Sequence, residues 1–292
     1  MTITIDVQAA FENDPPALDF VWPGFLAGTV GALVAPGGAG KSFWALEAAM
    51  AVAGGDAPGS DLLGLEPSRA GQVVYFAGED PAPILDCRIH AIGRHLTDTA
   101  RSAIAGRMTV EPVAGSSMSV TDRHTLHQLV ERCSGARLVV LDTLSRMHRL
   151  DENSNGDMAA VVACLERLAL ETGASVLFLH HVSKGSAREG ATDHQGAARG
   201  ASALVDNARW CGFIAPMTSE EAARLGEEPK GVPPIGEARR RHFVRVDVSK
   251  QNYGSAPPDR WYSRDGHGVL LPAALSASEL TGRRKGAHRA QA

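Results

Sequence analysis

"LVAPGGAGKSFWAL", residues 33–46, runs from apolar residues through Gly37, Gly38 and Gly40 to Lys41-Ser42, and then becomes apolar again with helical spacing. An apolar strand, a glycine-rich turn and a helix that begins at the turn form an anion cradle. Backbone N–H groups can point inward only where side chains are absent and glycine torsions are available. The helix adds the partial positive charge of its N-terminus. Residues Pro36, Gly37, Gly38, Ala39, Gly40, Lys41, Ser42 and Phe43 are therefore the predicted phosphate-binding loop. Lys41 is expected to reach the β- and γ-phosphates of ATP, and the Ser42 hydroxyl to hold Mg²⁺. Ala35 stands at the first motif position in place of glycine, a mild departure if its φ is negative.

Such a loop needs a second carboxylate at the end of a neighbouring strand. "RLVVLD" ends in Asp142, which is expected to share the Mg²⁺ shell with Ser42. "VVYFAGED" ends in Glu79 and Asp80. Glu79 is favoured as the base that orients the attacking water, with Asp80 as its support or as the cap of the following helix. "LFLHHVSKG" closes another apolar strand with His180 and His181, whose side chains point to opposite faces of a strand. One of them is expected to sense the γ-phosphate; His181 is favoured, with His180 left open.

The 292 residues carry 44% hydrophobic and 21% charged residues, enough for a proper core in one domain. No apolar run approaches the ~20 residues of a membrane helix, and the N-terminus lacks the pattern of a secretory signal. Cys87, Cys133, Cys164 and Cys211 are widely spaced and read as reduced thiols of a cytoplasmic protein. The net charge of -4 means that contact with a polyanion must be local.

Strand-like runs recur at 29–35, 71–78, 136–143, 174–182, 209–217, 242–250 and 268–273. The first four are almost wholly apolar, as in a parallel sheet buried on both faces. Helices are expected over 42–53, 82–95, 121–133 and 155–172. The predicted fold class is α/β, a mostly parallel central sheet flanked by helices with antiparallel strands at the far edge. Residues 1–25 are expected as an N-terminal extension, 26–273 as the domain, and 274–292 as a basic disordered tail. Segments 54–71, 183–202 and 229–241 read as loops.

With these elements in place the chain resembles the RecA-like P-loop ATPases, with KaiC and DnaB among the relatives. More closely, it resembles the hexameric replicative DNA helicases of plasmids, the RepA type. The matching stretches are "LDFVWPGFLAGTVGALVAPGGAGKS", "GED", "LVVLDTLSRMH", "LFLHHVSKG", "RGASALVDNARW" and "VSKQNYGSAPPDRW". The resemblance implies a homo-oligomeric ring with ATP between subunits and single-stranded DNA in its channel. A replication initiator or primase is the implied partner, and no membrane is. It places the arginine finger on Arg209 and a nucleotide contact on Arg88. Lys250 becomes a possible second contact in trans, since Asn252 stands where DnaB-type relatives carry an arginine. The DNA-facing loops, 143–156 and 183–202, hold Arg146, Arg149, Lys184, Arg188 and Arg199 without any aromatic platform. The expected function is an ATP-driven helicase or translocase in plasmid, phage or mobile-element replication. The alternative is a related ATPase that remodels DNA–protein complexes, or an ATP-gated regulatory ring.

Overall fold

The structure, a computed structural model, describes residues 4–116, 118–182, 202–229, 233–254 and 257–278. Lys184, Arg188 and Arg199 lie outside the described residues, as does most of the 183–202 loop.

Nine strands form one sheet in the order β12-β11-β10-β8-β3-β7-β6-β4-β5. Its parallel part contains β3 (Val30–Ala35), β4 (Val73–Ala77), β5 (Met108–Pro112), β6 (Leu138–Asp142), β7 (Ser175–His181) and β8 (Trp210–Pro216). The far edge is antiparallel, built from β10 (Phe243–Gln251), β11 (Arg260–Arg264) and β12 (Leu270–Pro272). Every residue of β3, β4 and β6 is buried, which explains their unbroken apolar sequences.

Helices cover both faces. On one lie α2 (Lys41–Gly54), α3 (Ala82–Gly93) and α4 (Asp98–Ala105); on the other lie α5 (Arg123–Cys133) and α6 (Asn155–Thr172). The α1 helix (Val7–Glu12) buries no residue. The α2 helix is buried on nearly every side, so its sequence shows no polar stripe. The α6 helix starts where Ser154 accepts from Asp157 N and stops at Gly173, φ 75°. Among the described residues, no helix is long and apolar enough to cross a membrane.

The expected boundary after residue 25 cuts through packed structure. β1 (Phe20–Trp22) and β2 (Phe25–Leu26) form a small ribbon whose Trp22 and Phe25 rings join Trp44 and Trp210. Gly31 makes room for it: a methyl group there would sit 2.9 Å from the Phe25 ring. Arg137, buried under β6, donates to both carboxylate oxygens of Asp19 at 3.0 and 2.8 Å, fixing the approach to the ribbon. That pairing holds the Asp19 carboxyl well below the usual carboxylate range. The expected tail also starts too early, since β13 (Leu275–Ala277) pairs with β9 (Leu225–Glu227). The expected 229–241 loop contains a short helix, Gly236–Arg239, and the buried Ile235, which packs against Met217 and Phe243.

Glu47 joins α2 to the far edge: its Oε1 accepts from Leu270 N at 2.9 Å, while Oε2 has no partner. Only 1% of the residue is exposed, and burial pushes its carboxyl up to about 8. The native state then keeps a proton that the unfolded chain releases above 4.5, so this group erodes stability as pH rises from 4.5 to about 8. Glu47→Gln keeps the acceptor for Leu270 and removes the proton. It should raise the melting temperature at pH 8 and leave it nearly unchanged at pH 4.5. An equal shift at both pH values would mean that Glu47 acts by packing alone.

Candidate nucleotide site

The C-terminal ends of β3, β7, β6 and β4 converge on the glycine loop. Gly38 and Gly40 have φ of 77° and 95°, torsions that strain any other residue. Added methyl groups on Gly37 and Gly38 would meet nothing within 4 Å, so the space above the loop is open. Ala35 is still within β3 and has no positive φ, so the missing first glycine costs nothing. No side chain caps α2, which begins at Lys41 with its amide groups facing that space.

Lys41 is only 4% exposed, and burial lowers its pKa against the pull of Asp142 and Glu79. Its Nζ lies 3.2 Å from Nε2 and 3.4 Å from Nδ1 of His181. His181 Nε2 in turn lies 3.5 Å from Glu79 Oε1, which also accepts from Thr143 Oγ1 at 2.9 Å. The histidine pair therefore divides as strand alternation requires. His181 faces the loop from the position beside Ala35. His180 is buried behind it, and burial brings its imidazole down to about 4.

Asp142 ends β6 beside the loop, buried, with Tyr75 donating to Oδ2 at 2.6 Å and the Ser42 hydroxyl nearby. Burial raises its pKa, opposed by the Tyr75 and Ser42 hydroxyls and by Lys41. Its Oδ1 is buried with no partner. An orphaned carboxylate oxygen next to a serine hydroxyl suits a hard divalent cation, so Ser42 and Asp142 fit Mg²⁺. Bound there, Mg²⁺ would neutralise charge on the phosphate oxygens.

Asp80 does not cap α3, whose N-cap is Pro81 without a side-chain bond. It pairs with Arg88 at 2.6 Å, and the Arg88 guanidinium lies 5.3 Å from the centre of the Phe43 ring. Arg88 thus flanks the loop through an ion pair and an aromatic face. Arg146 and Arg149 are exposed on the segment leaving β6. Arg209 and Lys250 lie elsewhere. Arg209 is exposed at the start of β8, at the opposite end of the sheet from the loop. Lys250 pairs with Cys211 across β10 and β8, and its Nζ donates to Asp206 O at 2.5 Å. Both are about 20 Å from the loop, the length of a six-residue strand.

A family profile described as "AAA domain" matches residues 3–187. The chain belongs to the AAA domain family. Among solved structures, the ATPase domain of G40P superposes with a TM-score of 0.57 at 15% identity, covering 91% of this chain and 95% of that one. A DnaB-like replicative helicase, solved in a study of its interactions with primase, gives a TM-score of 0.54 at 16% identity over 84% of this chain and 57% of that one. The fold of this AAA domain protein is thus the RecA-like fold of helicase ATPase domains, with the nucleotide site at the strand ends.

Two residues of the site escape a reading of the sequence. Tyr75 sits inside an apolar strand and looks like core, and Thr143 looks like a turn residue. Tyr75→Phe should raise the Mg²⁺ concentration needed for half-maximal ATP hydrolysis several-fold. It should also move the acid limb of the pH–rate profile upward, because Asp142 loses a donor that lowers its pKa. An unchanged profile and unchanged Mg²⁺ dependence would reduce Tyr75 to a packing residue.

Proposed function

We propose that the chain is the motor of an ATP-dependent DNA helicase or translocase that works as a ring, hexameric by resemblance, in the replication of a plasmid, phage or mobile element in the cytoplasm. The observation that carries this reading is the continuous cluster of Lys41, His181, Glu79 and Thr143 beside Asp142, drawn from four strand ends over an open glycine loop. A binding loop alone needs no carboxylate facing the γ-phosphate. In this reading Glu79 takes the proton of the attacking water, Lys41 and the loop amides hold the phosphates, and His181 links the γ-phosphate to the segment that follows β7. The likeness to the ATPase domains of G40P and of a DnaB-like helicase supports single-stranded DNA as the track and an initiator or primase as partner.

Arg209 and Lys250 are assigned to the ATP of a neighbouring subunit, because they lie too far from their own loop to reach its phosphates. Arg146 and Arg149, with Lys184, Arg188 and Arg199, are assigned to the DNA backbone. Contacts of that kind bind with strong salt dependence and little sequence preference.

Three experiments test this. Glu79→Gln should bind ATP with near wild-type affinity and lose strand displacement on a forked duplex, whereas Lys41→Ala should lose nucleotide binding as well. Wild-type protein that hydrolyses ATP but never displaces a strand would favour the remodelling or regulatory ring. In the second, Arg209→Ala should cut turnover by about 10³-fold or more and recover part of it when mixed with Lys41→Ala protein. No recovery, in rings shown to exchange subunits, argues against action in trans. Arg146→Ala with Arg149→Ala should weaken single-stranded DNA binding and flatten its salt dependence. The alanine keeps the Cβ of Arg146, which packs against Gly78.

A further inference from the structure

The antiparallel edge of the sheet reaches back to the glycine loop. Arg264, the last residue of β11, is followed by a turn that leads into β12. Asp265 closes that turn by accepting from His267 N at 2.8 Å and Val269 N at 2.9 Å. Two contacts from the end of α3 hold the turn in place. His95 Nε2 lies 2.9 Å from Asp265 Oδ2, and Arg94 Nη1 lies 3.0 Å from His267 Nε2. The turn is also pressed onto α2, since a methyl group on Gly268 would lie 2.7 Å from the Phe43 ring. Arg264 is thereby placed over the loop. A methyl group on Gly40 would lie 3.2 Å from its Nη2.

Its side chain has no hydrogen bond or ion pair among the described residues, and Nε is buried without a partner. Burial alone lowers its pKa; no carboxylate offsets the loss of water. A half-buried guanidinium without an anion is costly, and removing such a charge is expected to stabilise a fold rather than harm it. The other arginine beside Phe43, Arg88, has found both a carboxylate and a ring. The missing counter-ion belongs in the space that the loop leaves open.

We infer that Arg264 is a nucleotide-binding residue of its own subunit, donating from the β11 side to the phosphates that ATP and ADP share. The topology decides which phosphates. In the sheet order, β7, β6 and β4, which bring His181, Asp142 and Glu79, lie on one side of β3, and β11 lies on the other. The γ-phosphate chemistry occupies the first side, so Arg264 approaches the remainder of the polyphosphate, next to Gly40 at the start of α2. The inference rests on the nucleotide reading of the loop and adds a ligand that the glycine motif does not contain.

The test is direct binding of fluorescent ADP and ATP analogues to the full chain, together with thermal melting with and without ADP. Arg264→Met should raise the Kd for both nucleotides about tenfold or more, the loss of one charge-assisted contact, and leave their ratio unchanged. Arg264→Lys should recover part of the affinity. Without nucleotide, Arg264→Met should melt at or above the wild-type temperature, while its stabilisation by ADP shrinks. ADP affinity within twofold of wild type overturns the inference, as does a lower melting temperature with unchanged affinity, which would make Arg264 structural. Lys41→Ala is the separate control. If wild-type affinity survives Lys41→Ala, the loop itself is not the nucleotide site and the broader reading falls first.

Discussion

The ammonium of Lys41 is the constraint around which the nucleotide end of the molecule is built. It is a charge almost wholly removed from water, and it survives there because Asp142 and Glu79 oppose the cost of burial. Those carboxylates come from separate strands, so the sheet must bring the ends of β6 and β4 level with the end of β3. The parallel register does this, pairing Ala35 with His181 and Ala77 with Asp142. Asp142 then needs its own support, which Tyr75 and Ser42 provide, and Glu79 is steadied by Thr143. Each polar group is held by the next, and the network remains open where Asp142 Oδ1 has no partner. Fully satisfied buried networks specify one arrangement; a network with a single open acceptor is ready for a cation.

Much of this was legible in the sequence, because its signals are local. A strand buried on both faces must be continuously apolar, so β3, β4, β6 and β7 stand out, and a carboxylate or histidine at the ends of the last three is conspicuous. The glycines of the loop follow from torsions that no other residue adopts at ease. What was not legible depends on distant contacts. β5, "MTVEP", lies at the sheet edge with partly exposed side chains and lacks the apolar run. β1 and β2 are too short to show alternation, yet Trp22 and Phe25 become core by meeting Trp44 and Trp210. β11, "RWYSR", reads as polar because Arg260 and Arg264 flank the buried Tyr262. Arg264 comes near the loop only through the fold of the antiparallel edge.

The fold separates two kinds of cation. Lys41, Arg88 and Arg264 gather at the nucleotide end of the sheet, whereas Arg209 and Lys250 gather at the other, across β8 and β10. Lys250 makes do with the carbonyl oxygens of Val205 and Asp206.

A cation held by carbonyls at the end of a strand exchanges them readily for an anion, since a charged acceptor forms the stronger bond. Under the ring reading, that anion is the polyphosphate of the adjacent subunit. One chain then carries a nearly complete phosphate site at one end and the charges that complete another site at the opposite end. Such a head-to-tail arrangement closes into a ring when the rotation between neighbours allows it. Under the same reading, the segments leaving β6 and β7 start from residues at the γ-phosphate end. Any rearrangement of Asp142 or His181 on hydrolysis therefore passes directly into the exposed stretch that carries Arg146 and Arg149, and no longer relay through the core is needed.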